Sequence, residues 1–249
     1  MFTTEYLSSI ILSALAVLLI LPIHEFAHGL CAYALGDPTA KNSGRLTLNP
    51  IKHLDLFGSL CLVLFHFGWA KPVPVNARYF KKPKRDFALV ALAGPVVNLL
   101  VAFLCVPILL LLPQLYVSTY VAGSFLTKFI YTVYLFMSIF LSVNIGLAIF
   151  NLLPIPPLDG SRILCAFLPP KAVHWLLRNE RNIYIAMIAW LLLGDVVSSA
   201  LLSVPFVASN PALSFVASLF SLTDWLAKLN ILLSDLMFSF WRLIPALNI

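Results

Sequence analysis

The chain has 249 residues, 61% of them hydrophobic and only 10% charged, with a mean hydropathy of +0.97. An ordinary soluble domain is about half apolar and about a quarter charged, and 26 Lys, Arg, Asp and Glu side chains are too few to cover a soluble fold of this length, so much of the surface must meet lipid. The apolar residues come in long blocks, which excludes disorder, collagen and coiled coil; the net charge of +6 sits between those blocks with no nucleic-acid-binding motif beside it.

A membrane-spanning helix needs about 20 mostly apolar residues. Residues 6–23 open the first, and the same helix is expected to run on through His24, Glu25 and His28 to Leu35, where Gly36-Asp37-Pro38 supplies a stop. The apolar run Leu56 to Phe67 is too short to cross and reads as a re-entrant or interfacial segment. Leu89 to Leu112 gives a second span closed by a turn at Pro113-Gln114, Phe129 to Phe150 a third ending at the prolines from 154, and Ile183 to Val204 a fourth interrupted by Asp195. From Pro211 onward the sequence fits either a fifth span or an interfacial amphipathic helix. The expected fold class is thus an all-α polytopic membrane protein, a bundle of about 4 to 6 transmembrane helices with a short re-entrant or β-like segment. We expect one domain over 1–249, with a core of about 7–168 and C-terminal helices over 181–249.

Lys and Arg set the orientation, because short cytoplasmic loops carry the excess of positive residues. Nine fall between 36 and 86 and four between 151 and 182, but only Lys128 falls between 113 and 128. This places those two loops in the cytoplasm and the N-terminus outside. No basic n-region precedes the first apolar run, so it is expected to remain in the mature protein. The four cysteines, without CxxC spacing, read as buried thiols.

Ionisable groups inside a spanning helix are costly and are functional candidates by default. His24 and His28 lie one helical turn apart on one face, with Glu25 beside them. This HExxH spacing is that of zinc metallopeptidases, in which two imidazoles bind the metal and the Glu acts as base. A metal-free proton relay in a transporter could use the same residues. A catalytic zinc takes three protein ligands, and the candidates for the third are Asp159, Asp195, His53, His66 and His174. Asp159 stands out because it ends Asn151-Leu-Leu-Pro-Ile-Pro-Pro-Leu-Asp-Gly160, where three prolines forbid regular helix. His53 reads as a loop-stabilising hydrogen bonder, and Asp195 as a polar pair with another helix or a sign of misplaced boundaries.

Three ordered motifs now stand together: His24-Glu25-Phe26-Ala27-His28, Ala93-Gly94-Pro95-Val96-Val97-Asn98, and Asn151 to Gly160. With them the chain resembles, from about Leu21 to Ile163, the site-2 protease family of intramembrane zinc metalloproteases, in its compact prokaryotic type without a PDZ domain. The resemblance implies that His24, His28 and Asp159 bind one Zn²⁺, that Glu25 is the general base, and that Asn151 binds the substrate backbone or oxyanion. It further implies a zinc endopeptidase of the inner membrane engaged in regulated intramembrane proteolysis. Its partners would be a transmembrane protein substrate and the bilayer, with a homo-oligomer or regulatory membrane partner left open. Gly160 is expected to permit a tight turn, and Gly94 and Asn98 read as helix packing with an interhelical hydrogen bond at least as readily as parts of the catalytic site. In the family the region of Leu60 to Asn76 is a membrane-associated sheet or hairpin edge, where a substrate strand could add. The rival reading is a non-hydrolytic transporter or metal-handling protein using the same His, Glu and Asp cluster.

Overall fold

A computed structural model describes residues 4–53, 55 and 71–244. Its elements are α1 (Thr4–Ala34), α2 (Thr39–Asn42), α3 (Pro50–His53), a 3-10 turn (Ala77–Tyr79), α4 (Pro83–Ser118), α5 (Phe125–Leu152), α6 (Asp159–Phe167), α7 (Pro170–Arg178), α8 (Glu180–Leu202), α9 (Pro205–Ser209), α10 (Pro211–Ser218) and α11 (Leu222–Trp241). No strand occurs among the described residues. The re-entrant run from Leu56 to Phe67, with Cys61 and His66, lies outside them. Of the proposed sheet edge, residues 71–76 are described and are irregular backbone.

Among the described residues four helices are long and apolar enough to cross a membrane: α1 from Leu7, α4, α5 and α8. Helices α10 and α11, bent by 93°, would together make a fifth. In hydrocarbon every backbone N–H and C=O must be satisfied within the segment, so these sequences are driven into helix whatever their propensities. The second and third spans also begin earlier than expected, at Pro83 and Phe125, and that pressure explains where α4 ends. Helix α4 continues through Pro113 to Ser118 in place of the expected turn at Pro113-Gln114, and it also contains Pro95 and Pro107. A proline costs a single ladder bond, and leaving the helix early would expose several backbone groups.

Helix α1 runs unbroken through His24, Glu25 and His28 and stops where expected. Gly36 has φ of 102°; its N–H donates to the Tyr33 carbonyl, and the Asp37 N–H donates to that of Ala32. This is the Schellman pairing, which needs a residue tolerant of positive φ. At the start of α4, Asp86 reaches back to accept the Lys82 N–H at 2.9 Å and pairs with Arg85, closing the exposed helix end.

The core is a seam between α1 (Ala16, Ile20), α4 (Ala102, Cys105, Val106, Leu109) and α5 (Phe140, Leu141, Ile145, Ile149), joined by Met237 of α11. Alanines in that seam let the helices approach closely, which matters where lipid offers no hydrophobic drive for association. Large apolar side chains such as Ile11, Leu100, Leu104 and Leu192 face outward. Such an apolar exterior suits hydrocarbon and would aggregate in water. Cys31, Cys105 and Cys165 are free thiols.

Candidate metal centre

Three elements bring the site together. His24 and His28 come from the same face of α1, both buried. Asp159 is the first residue of α6, after α5 has ended at Leu152 and the proline-rich turn has reversed the chain. Gly160 makes that reversal tight, for a reason other than the turn freedom expected of it. A Cβ on Gly160 would lie 2.3 Å from the Leu152 carbonyl oxygen and 2.4 Å from that of Leu153, so only glycine lets α6 begin against the end of α5.

The ligand atoms converge. His24 Nε2 and His28 Nε2 are 3.0 Å apart, and Asp159 Oδ2 lies 3.3 Å from the first and 3.2 Å from the second. Zinc holds nitrogen and oxygen ligands at about 2.0–2.2 Å in a tetrahedron, which sets neighbouring ligand atoms about 3.4 Å apart. The triangle matches that spacing. Asp159 Oδ2 is buried and accepts no well-directed hydrogen bond, as a carboxylate aimed at a cation would be. This is the one cluster of three metal-ligating groups among the described residues.

Helix α4 shapes the floor. His28 Nδ1 donates to the Val90 carbonyl at 2.7 Å, which fixes the tautomer and leaves the Nε2 lone pair facing Asp159. His24 Nδ1 lies 3.2 Å from the Asn98 side-chain amide, while Asn98 Oδ1 is buried without a partner. Turning that amide over places Oδ1 where it accepts from His24 Nδ1–H, satisfies the orphaned oxygen and frees His24 Nε2 as well. One turn before Asn98, a Cβ on Gly94 would meet His28 Nε2 at 2.4 Å and His24 Cε1 at 2.5 Å. Gly94 and Asn98 therefore seat the imidazoles directly, beyond the packing expected of them. The donor set, its spacing and this cradle all fit a zinc ion.

Glu25 is half-buried, and its Oε2 accepts the Val73 N–H at 2.9 Å. The other candidates lie elsewhere. His53 Nε2 bonds the Thr47 carbonyl at 2.7 Å, the loop-stabilising role expected of it. Asp195 accepts from the hydroxyls of Ser221 and Thr223 at 2.7 Å, so it is the expected polar pair between helices. His174 is exposed on α7. Asn151 sits in the last turn of α5, where its Nδ2 donates to the Leu147 carbonyl at 3.0 Å. Val73 lies against Glu25, and Arg45 and Asp37 hold the segment that carries it; none of the three was singled out as a site residue by sequence reasoning, and Gly44-Arg45 and the Pro72-Val73-Pro74 run were the signals that could have found them.

Among curated proteins the chain is 49% identical over 148 residues to YwhC of Bacillus subtilis (strain 168), covering 59% of this chain and 65% of that protein. It is 31% identical over 171 residues to Rip2 of Mycolicibacterium smegmatis, covering 67% and 61%, and 31% identical over 155 residues to Rip2 of Mycobacterium tuberculosis, covering 60% and 54%. All three carry the words zinc metalloprotease in their names, and the matches span between about half and two thirds of their lengths. No solved structure matches. The model of peptidase family M50 matches residues 12–194, a stretch that holds His24, Glu25, His28, Gly94, Asn98 and Asp159, and the chain belongs to that family.

Proposed function

We propose that this protein is an intramembrane zinc endopeptidase that cleaves transmembrane or membrane-proximal segments of other membrane proteins. The observation that carries the reading is the triangle of His24 Nε2, His28 Nε2 and Asp159 Oδ2, with no edge longer than 3.3 Å, its two histidines on a helix apolar enough to span a bilayer. His24, His28 and Asp159 would hold one zinc per chain, which would supply Lewis-acid polarisation of a scissile carbonyl and acidify water for attack. Glu25, one residue from the first ligand, takes the proton from the attacking water and returns it to the leaving amine. Asn151 contributes amide hydrogen bonds to the substrate backbone once its Nδ2 leaves the Leu147 carbonyl. The substrate helix must unwind first, because a helical carbonyl is hydrogen-bonded and shielded. The Lys and Arg distribution supports a site on the cytoplasmic side of the membrane, in our reading the plasma membrane.

The test is zinc content and cleavage of a labelled transmembrane peptide by purified protein in lipid nanodiscs. Wild type is expected to carry about one zinc and to cleave. Glu25→Gln should keep zinc and lose cleavage at least about 1,000-fold, and Asp159→Ala should lose both. A fully active Glu25→Gln overturns the mechanism, and zinc-dependent ion flux without cleavage would establish the transporter reading instead.

A further inference from the structure

Arg45 is buried, and among the described residues it has no carboxylate partner. Its guanidinium is spent on main chain. Nη1 donates to the Lys52 carbonyl, and Nη2 to the carbonyls of Lys71 and Pro72, the last at 3.2 Å. A cation buried on neutral dipoles is a costly arrangement that a purely structural loop could replace with apolar packing. The same segment is tied at both ends. The Lys71 N–H donates to the His53 carbonyl at 2.8 Å, and the Asn76 N–H donates to Asp37 Oδ2 at 2.7 Å. Asp37 is fully buried, and its other oxygen accepts from the Thr39 N–H at 2.9 Å and from the Thr39 hydroxyl.

Between those anchors lies Pro72-Val73-Pro74. Two prolines fix φ and offer no N–H, so Val73 has the one main-chain donor of the three, and that donor goes to Glu25 Oε2 at 2.9 Å. The Val73 side chain is buried against α1, where a Cβ on Gly29 would stand 3.4 Å from Val73 Cγ1. The whole assembly, Arg45 to carbonyls, carbonyls to Val73, Val73 N–H to carboxylate, ends on one oxygen of Glu25. Among the described residues nothing donates to the other.

We propose that Arg45 and Asp37 are positioning residues for the reaction: they brace the segment 71–76 so that the Val73 N–H holds one oxygen of Glu25 and turns the other toward the reacting water. The inference rests on Glu25 acting as the proton acceptor beside the metal. Neither residue touches a ligand of that metal. They act through Val73 alone, so their loss should leave metal binding intact and disturb only what Glu25 does.

The experiment loads the full-length protein in nanodiscs with Co²⁺, whose visible absorption reports the geometry around the ion, at one fixed pH, and follows Val73 amide exchange in the same samples. Wild type, Glu25→Gln, Arg45→Ala, Arg45→Lys and Val73→Pro are compared; the last deletes the donor and leaves Arg45 in place. All five should take up Co²⁺ equally. Arg45→Ala and Val73→Pro should reproduce the altered band of Glu25→Gln, Arg45→Lys should return toward the wild-type band, and Val73 should exchange at least 10-fold faster in Arg45→Ala. If Glu25→Gln alters the band while Arg45→Ala and Val73→Pro keep the wild-type one, the metal reading stands and the brace is refuted. If wild type takes up no cobalt, or Glu25→Gln leaves the band unchanged, the reading of the site fails and the brace falls with it. Should Arg45→Ala fail to fold, Val73→Pro and Asp37→Asn decide the question.

Discussion

Gly94→Ala adds one methyl group to the floor of the site, and the structure sets its effect. The new Cβ would stand 2.4 Å from His28 Nε2, 2.5 Å from His24 Cε1 and 2.6 Å from His28 Cε1, whereas ordinary contact begins at 3.4 Å. The imidazoles or α4 must therefore give way by about 1 Å. Metal–ligand bonds tolerate about 0.2 Å, and both rings are tethered to α4 itself, His28 by the Val90 carbonyl and His24 by Asn98. The rings cannot retreat without breaking those bonds, and α4 cannot retreat without opening its seam with α1. Overpacking of this kind costs about 1–3 kcal/mol of stability, which the bundle should survive. The zinc site should not: losing an outer hydrogen bond costs about 10–100-fold in affinity, and displacing two ligands at once should exceed about 100-fold. Zinc content after equilibration against a zinc buffer, measured by mass spectrometry beside a Tm, tests this. Gly146→Ala is the control, since its Cβ would meet only the Asn230 side chain at 3.3 Å. Wild-type zinc affinity in Gly94→Ala would show that the metal is held elsewhere.

Two further outcomes follow from single contacts. Asn98→Ala removes the partner of His24 Nδ1 and should weaken zinc by about 10–100-fold, with Asn98→Asp, which restores an acceptor, recovering most of it in the same binding assay. Asp195→Ala deprives the Ser221 and Thr223 hydroxyls of their acceptor and should cost about 1 kcal/mol. That is a Tm drop of about 2–4 °C for a chain of this size, with zinc content unchanged; a loss of zinc would mean that α8 and α11 support the site more directly than their contacts show.

What could be read from the sequence is what helix periodicity or lipid imposes. His24 and His28 are four residues apart, so any helix brings them together. The spans follow from hydrocarbon's demand for internal hydrogen bonds, and the stop at Gly36 from a residue able to take positive φ. Asp159 stood out among five candidates because prolines at membrane depth need a reason, and the family resemblance then singled it out. The rest depends on atoms distant in sequence. That Gly94 must be glycine is visible only once two imidazoles stand where its side chain would go. The partner of the interhelical hydrogen bond expected of Asn98 is unknown until His24, 74 positions earlier, is placed against it. The end of α4 was missed because a proline that stops a helix in water stops nothing where the alternative is unsatisfied backbone in lipid.

Arg45 was hidden for a different reason: its partners are carbonyls, which every residue carries and no sequence pattern marks. The same holds around the site. His28 is oriented by the Val90 carbonyl, Glu25 by the Val73 N–H and His53 by the Thr47 carbonyl. With only 10% of its residues charged, the chain has few polar side chains to spare for holding its reactive groups, and it draws on main chain at the ends and edges of helices instead. Apart from a change to proline, side-chain substitution leaves main-chain groups in place, so the site's support should tolerate Val90 or Val73 being exchanged for another apolar residue other than proline. It should fail where the backbone itself is moved or loses a donor, which makes the glycines and the residues that hold segment 71–76 its vulnerable points.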